Sequence, residues 1–150
     1  MAIGVTFSGL TVGVSTASPA TYDAAGFNAL TFTSIKGVVA PGNFSAKYTP
    51  VDTAVLEERA TVRTKGTREA VDFSMSILLD LTDAGQLMLL AGADGAEVDT
   101  NHSFEFTHSN GDKYHLQALI GSFEEPGGDG NTNRLLNVSL FFDSRGTVRS

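Results

Sequence analysis

Apolar and polar residues alternate over most of this chain, and the alternation sets its expected architecture. Val71 to Leu79 is the clearest segment: Val71, Phe73, Met75 and Ile77 fall on one face, Asp72, Ser74 and Ser76 on the other. Period two with a polar outer face predicts a half-exposed antiparallel strand. Arg134 to Asp143 repeats the pattern, with Leu136, Val138, Leu140 and Phe142 on one side and Asn137 and Ser139, beside Leu135 and Phe141, on the other. His102 to His108 carries Phe104 and Phe106 on one face, and Tyr114 to Phe123 carries Leu116, Ala118 and Ile120. Asn110-Gly111 between them signals a hairpin. A bare two-residue loop splits the two apolar faces. A three-residue loop, Asn110 to Asp112, sets Phe106 opposite Leu116 and Phe104 opposite Ala118, so the longer loop is expected. Val5 to Val14, Leu30 to Val38 and, more briefly, Asn43 to Thr49 complete the expected strands.

One segment has good helical signals. Asp83 is placed to cap the first amides, and Gln86 sits three residues on, where a capping box needs Glu or Gln. The expected body is Ala84 to Ala91, with Leu87, Leu90 and Ala91 as its core stripe and Gly92 as a left-handed stop. Ser18 to Phe27 breaks the strand pattern and suits a loop with one helical turn closed by Gly26. Glu125 to Asn133 is a Gly-rich loop, and the polar tail from Ser144 to Ser150 is expected to fray. Val51 to Glu69 is polar and charged, with Val55, Leu56 and Val62 scattered among Glu57, Glu58, Arg59, Arg63, Lys65 and Arg68. It is either a long loop or an extended hairpin. Structureless loops of that length are uncommon unless they are functional.

Composition narrows the class. A chain of 150 residues fits one domain, and 41% hydrophobic with 18% charged residues marks a folded chain. Ten Phe and no Trp point to a phenylalanine core. The net charge of −7 makes tight nucleic-acid binding a poor expectation, because such binding rests on cations that neutralise phosphates. The absence of cysteine excludes disulfides, thiolate metal sites and cysteine nucleophiles. Met1 to Val5 lacks the basic start of a secretory signal. The longest strongly apolar run, Leu87 to Ala91, is far short of the roughly 20 residues that span a membrane, so no membrane insertion by the monomer is expected.

Candidate chemistry is sparse. His102 and His108 share strand parity and His115 has the opposite one, so the three do not converge on a metal; they are expected at the surface or at an interface. Glu57-Glu58 and Glu124-Glu125 are adjacent pairs that a strand turns to opposite faces, which makes no acid/base pair. Asp129-Gly130-Asn131-x-Asn133 lacks the terminal bidentate Glu of a calcium loop. No nucleophile-elbow, phosphate-loop or dinucleotide motif occurs. A non-enzymatic chain without cofactors or metals is expected. Exposed apolar residues on a long charged excursion tend to find a partner surface. Repeated on every copy, such a head-to-tail contact closes a ring or grows a filament.

Three ordered segments resemble a known family. Ser15-Thr16-Ala17-Ser18-Pro19-Ala20-Thr21-Tyr22-Asp23-Ala24-Ala25-Gly26-Phe27 is similar to the S-x-x-x-P-A-T-Y-D-x-x-G-[YF] opening of siphophage major tail tube proteins. Ala29 to Val38 resembles the L-T-[YF]-T-x-[VI]-x-x-V strand that follows, and Leu79 to Gln86 resembles the D-x-x-D-A-G-Q start of the family's helix. The resemblance covers nearly the whole chain. It implies a mainly β fold of two packed antiparallel sheets, sandwich- or barrel-like, with one short helix on the flank. It implies hexameric rings stacked into a hollow tube in a virion tail, assembled in the host cytoplasm. The partners would be further copies of the chain, tape measure, tail terminator and tail-tip proteins, and double-stranded DNA passing without tight binding. Val51 to Arg68 would be the inter-subunit loop, carried by Val55, Leu56, Glu57, Glu58, Arg59, Val62 and Arg63. Asp72, Ser74 and Ser76 are one candidate for the lumen face, and Asn137 and Ser139 a second; an outer solvated face is the alternative for each. A single domain without the C-terminal immunoglobulin-like domain of many members is expected. The competing functional reading is a virion-associated β-sandwich that binds a glycan or receptor, although Tyr22, Tyr48 and Tyr114 are too scattered in sequence to suggest a clustered aromatic site.

Overall fold

A computed structural model of the chain describes residues 6–69, 71–143 and 145–150. The alternating segments hydrogen-bond into one eight-stranded antiparallel sheet. Its strands are β1 (Thr11–Ser15), β2 (Thr33–Ile35), β3 (Val38–Ala40), β6 (Asp72–Leu78), β7 (His102–Thr107), β8 (Lys113–Glu124), β9 (Leu135–Phe142) and β10 (Val148–Arg149). The order is β2-β1-β7-β8-β9-β6-β3, with β10 paired to β8. A second, two-stranded sheet is the hairpin β4 (Lys47–Val55) and β5 (Ala60–Glu69). Two helices, α1 (Ala24–Asn28) and α2 (Ala84–Asp94), flank the large sheet. A mainly β fold with two antiparallel sheets is therefore present, but the division is unequal. The core lies inside the curl of the large sheet and contains no residue of the hairpin.

The core-facing positions are the ones the alternation marks. Phe73, Met75 and Ile77 of β6 lie opposite Leu140, Val138 and Leu136 of β9, and all six are buried. Phe104, Phe106, Leu116, Ala118 and Ile120 continue the same face across β7 and β8. The β7–β8 loop is three residues long, as expected, but consists of Ser109 to Gly111. His108 N–H donates to the Asp112 carbonyl at 2.8 Å, and Gly111 takes the positive φ of 95° that the third loop position favours. Phe104 thus faces Leu116, and Phe106 faces Tyr114. The offset from expectation is two residues, which preserves the apolar face.

The two edge strands of the sheet are consecutive in sequence. Only Lys36 and Gly37 separate β2 from β3, so the chain carries the two ends of the sheet to within about 10 Å of each other. The single strand expected over Leu30 to Val38 is split there by Gly37, whose φ is 80°. Helix α2 closes this seam. Asp83 accepts from Gln86 N–H at 3.1 Å, capping the helix, and from Lys36 N–H at 3.2 Å. The Gln86 amide donates to the Lys36 and Leu78 carbonyls, both at 2.9 Å, and accepts from Asp80 N–H at 2.9 Å. The expected cap is present, but Gln86 spends its side chain on the seam instead of the reciprocal half of a capping box. Gly85 is buried against β2, where a Cβ would run into the Ser34 carbonyl.

This anchoring sets the rotation of α2. Its buried residues are Gly85, Gln86, Leu89 and Gly92, while Leu87 is 47% exposed. The expected Leu87–Leu90–Ala91 stripe is thus corrected to a face one position away, with Leu90 and Ala91 half-buried. Gly92 does not stop the helix: it lies against Ile120 and His102, and the helix runs on to Asp94.

The opposite face of the sheet is covered at its β7–β8 end by the stretch around α1. Gly26, expected to end a helical turn, is buried inside α1; Asp23 caps it by accepting from Gly26 N–H at 2.8 Å. Phe27 stacks on His115 with ring centroids 5.2 Å apart. The Tyr22 hydroxyl donates to the Gly146 carbonyl at 2.6 Å and accepts from Gln117 N–H at 3.2 Å. This latch, with β10 on β8, ties down the tail that was expected to fray. The strand expected from Val5 starts only at Thr11, and Val5 itself lies outside the described residues. The histidines also depart from expectation. His102 and His115 are fully buried on opposite faces, His102 under α2 and His115 under α1 with Glu105 at 3.0 Å; His108 is half-buried.

Two outcomes follow for stability. Gln86→Ala strips three seam partners and should lower unfolding free energy by about 2 kcal/mol, whereas Leu87→Ala should stay within about 1 kcal/mol of wild type. Chemical denaturation reads both; equal costs would mean that α2 buries the other face. Burial holds the His102 imidazole below its ordinary value of 6.5. As pH falls, the unfolded chain therefore binds that proton first. Stability should be at its full value above pH 6.5 and decline below it, and His102→Leu should flatten part of that slope in thermal unfolding between pH 7.5 and 5.5.

Candidate assembly surfaces

The segment expected as a loop or extended hairpin is a hairpin, longer than its sequence suggests. β4 begins at Lys47, where a separate short strand was expected, and β5 runs to Glu69. Leu56 to Arg59 make the turn, and Arg59 takes a φ of 51°. The pairing sorts the ribbon into two unlike faces. Val51 lies opposite Thr64, Thr53 opposite Val62, and Val55 opposite Ala60, which collects the three valines on one face. On the other, Arg63 grips Asp52 with bonds of 2.8 and 3.3 Å, and Lys65 sits 4.7 Å above the Tyr48 ring. A register shift between Tyr48 and Pro50 is accommodated by Gly66, where a Cβ would meet the Thr49 carbonyl at 2.7 Å.

The apolar face of the ribbon is uncovered, with Val51 47% and Val62 44% exposed. Leu56, at the tip, is 89% exposed beside the exposed carboxylates of Glu57 and Glu58. Of the residues expected to act between subunits, Leu56, Glu57, Glu58 and Arg59 form the tip, Val55 and Val62 belong to the apolar face, and Arg63 belongs to the polar one. Val51 was missed as part of that face, because the register that aligns it appears only when the strand is extended back to Lys47.

A second surface joins two groups that the sequence left separate. Asp72, Ser74 and Ser76 of β6 and Asn137 and Ser139 of β9 share one outward face of adjacent strands. Ser74 and Ser139 are directly opposite, with hydroxyls 3.4 Å apart, and Ser76 donates to the Asn137 side-chain oxygen at 2.9 Å. β8 extends the strip. A bulge between Ile120 and Ser122 reverses its parity, so Ser122 and Glu124 line up with Ser139 and Asn137 while Ile120 stays in the core. Phe141 covers the extra residue, Gly121. The charged members of the strip, Asp72 and Glu124, are both acidic. Among the described residues, no three His, Cys, Asp or Glu side chains are grouped to hold a metal, and no helix is long and apolar enough to cross a membrane.

No protein-family profile matches the chain, and no curated protein does. Solved structures do. A chain of the sheath–tube complex of an extracellular contractile injection system, in the extended state, superposes with a TM-score of 0.66 at 9% identity, over 98% of this chain and 91% of that one. This chain has a tail-tube-like fold. A chain of the anti-feeding prophage tube-terminating cap matches with a TM-score of 0.66 at 10% identity, over 100% and 93% of the two chains. A chain of a gene transfer agent particle's tail, determined with C6 symmetry, matches with a TM-score of 0.63 at 13% identity, over 93% and 95%.

A two-stranded ribbon with one uncovered face is marginally stable alone. In the free protein the amides of Lys47–Val55 and Ala60–Glu69 should therefore exchange with solvent faster than those of β6 and β9 by orders of magnitude, as hydrogen exchange read by mass spectrometry would show. Equal protection would mean that the ribbon is already covered in the monomer.

Proposed function

We propose that this chain is the structural subunit of a tail tube of a long, non-contractile-tailed bacteriophage, forming hexameric rings that stack into a conduit for the genome. The observation that carries the reading is the uncovered amphipathic ribbon on a tail-tube-like fold. Such a ribbon needs a partner to bury its apolar face, and a further copy of the chain supplies one at every step of a growing ring or tube. The six-fold symmetry of the gene transfer agent tail supports the ring size. The ordered motifs of the sequence favour the non-contractile class. Tube ends then meet terminator and tail-tip proteins, and the bore holds a tape measure before DNA passes.

The strip of Asp72, Ser74, Ser76, Asn137 and Ser139, continued by Ser122 and Glu124, suits a lumen wall. It offers short polar side chains and two carboxylates, so a passing phosphate backbone meets hydration and like charge. Strands from neighbouring subunits would complete the wall.

Electron microscopy of the purified protein, alone and with tail-initiation partners, tests the reading: rings or tubes are expected. V51D/V62D should leave monomer stability within about 0.5 kcal/mol of wild type, since both sites are exposed, and abolish tubes. S74K/S139K should still assemble but retain DNA. Strictly monomeric wild-type protein under all these conditions would refute the proposal, and unhindered DNA passage through S74K/S139K tubes would refute the lumen assignment.

A further inference from the structure

At the base of the ribbon lies a cleft of about 280 Å³, walled by Phe44, Arg68, Arg145, Thr147 and Arg149. Three arginines line it. Arg145 is engaged by Asp143 at 3.0 Å, but among the described residues Arg68 and Arg149 have no carboxylate partner. Each is held in place by other means. Arg149 lies over the Tyr114 ring at 5.1 Å, and Arg68 lies against Gly146, the residue whose carbonyl takes the Tyr22 hydroxyl. The cleft is therefore a fixed cationic feature on a chain whose net charge is −7.

The opposite end of the same ribbon has the complementary chemistry. Glu57 and Glu58 are adjacent, exposed and without a cationic partner among the described residues. Leu56 beside them is 89% exposed, and the cleft has a partly buried aromatic wall in Phe44 to receive an apolar side chain. A nine-residue strand separates the two ends, a reach of about 30 Å. The tip is thus too far from its own cleft to enter it.

We infer that the cleft formed by Arg68, Arg145 and Arg149 receives the Leu56-Glu57-Glu58 tip of a second copy of this chain. This rests on the self-assembly reading above and names the surface that its arm engages. Because donor and acceptor sit at opposite ends of one ribbon, the contact is head-to-tail and leaves one free tip and one free cleft after every addition. Carboxylate–guanidinium pairing gives the contact direction, since on the ribbon's polar face Arg63 is already taken up by Asp52.

The chain has no cysteine, so introduced thiols report contacts without background. E57C and T147C variants, mixed as full-length proteins under mild oxidation, should form a disulfide-linked dimer on the order of tenfold faster than E125C mixed with T147C, because a specific contact raises effective concentration. The rate should fall with added salt. Charge reversal reads the same contact in assembly. E57K/E58K and R68E/R149E should each prevent tubes, and the four changes combined in one chain should restore them; thermal unfolding identifies any variant that fails to fold. Wild-type tubes with no excess cross-link over the Glu125 control would overturn the inference while leaving the tube reading intact. Absence of wild-type tubes would refute the tube reading, whereas the cross-link still reports the tip–cleft contact in solution. Loss of duplex DNA binding by R68E/R149E with assembly unimpaired would mark the cleft as a phosphate site and overturn the inference.

Discussion

The structure depends on the closure of one seam. Strands β2 and β3 end the large sheet on either side and are joined by two residues, so the sheet must curl until its ends meet. Backbone groups at the join have no ladder partner. Gln86 and Asp83 take them up with four hydrogen bonds to Lys36, Leu78 and Asp80, while Gly85 lets the helix start lie flat against β2. Buried polar groups cost most when left unpaired, so these bonds decide that the sheet curls here and not elsewhere. Curling turns Phe73, Phe104, Phe106 and their neighbours inward and puts Leu89 over them as a lid.

Which parts of this were legible in the sequence follows from the range of the interactions. Alternation is local, so the inward faces of β6, β7, β8 and β9 could be read residue by residue, and so could the Asp83 cap. The buried face of α2 could not. Leucines alone suggest a stripe through Leu87, but the Gln86 amide bonds groups 8 and 50 residues away, and those bonds fix the rotation. The tail was misread for the same reason. Most of its residues are polar, and nothing near them in sequence shows that Tyr22, 124 residues earlier, holds Gly146. Histidine polarity misled too, since His115 is buried by a ring stack with Phe27 and a hydrogen bond to Glu105 on the adjacent strand.

The candidate surfaces were legible as residues but not as surfaces. Asp72, Ser74 and Ser76 could be assigned to one strand and Asn137 and Ser139 to another, yet only the β6–β9 register makes them a single strip. Ser122 and Glu124 join it through a bulge that alternation does not reveal, because one extra residue reverses every later position. The hairpin is the converse case. Its charges suggested a loop, whereas its valines sort onto one face once paired.

Edge management singles out the β4–β5 ribbon. A sheet with long free edges invites pairing with other chains. Here the edges of the large sheet are two strands of three residues each, drawn together at the seam. The long unpaired edges are those of β4 and β5, nine and ten residues, and the same ribbon bears the uncovered valines. The curl that builds the core thus removes most routes to promiscuous pairing from the body and concentrates them on one projecting element. An element of that kind has a single direction and a distinct tip. Association through such an element would be ordered, and a body closed by Gln86 and Asp83 leaves the ribbon exposed without exposing long edges on the rest of the chain.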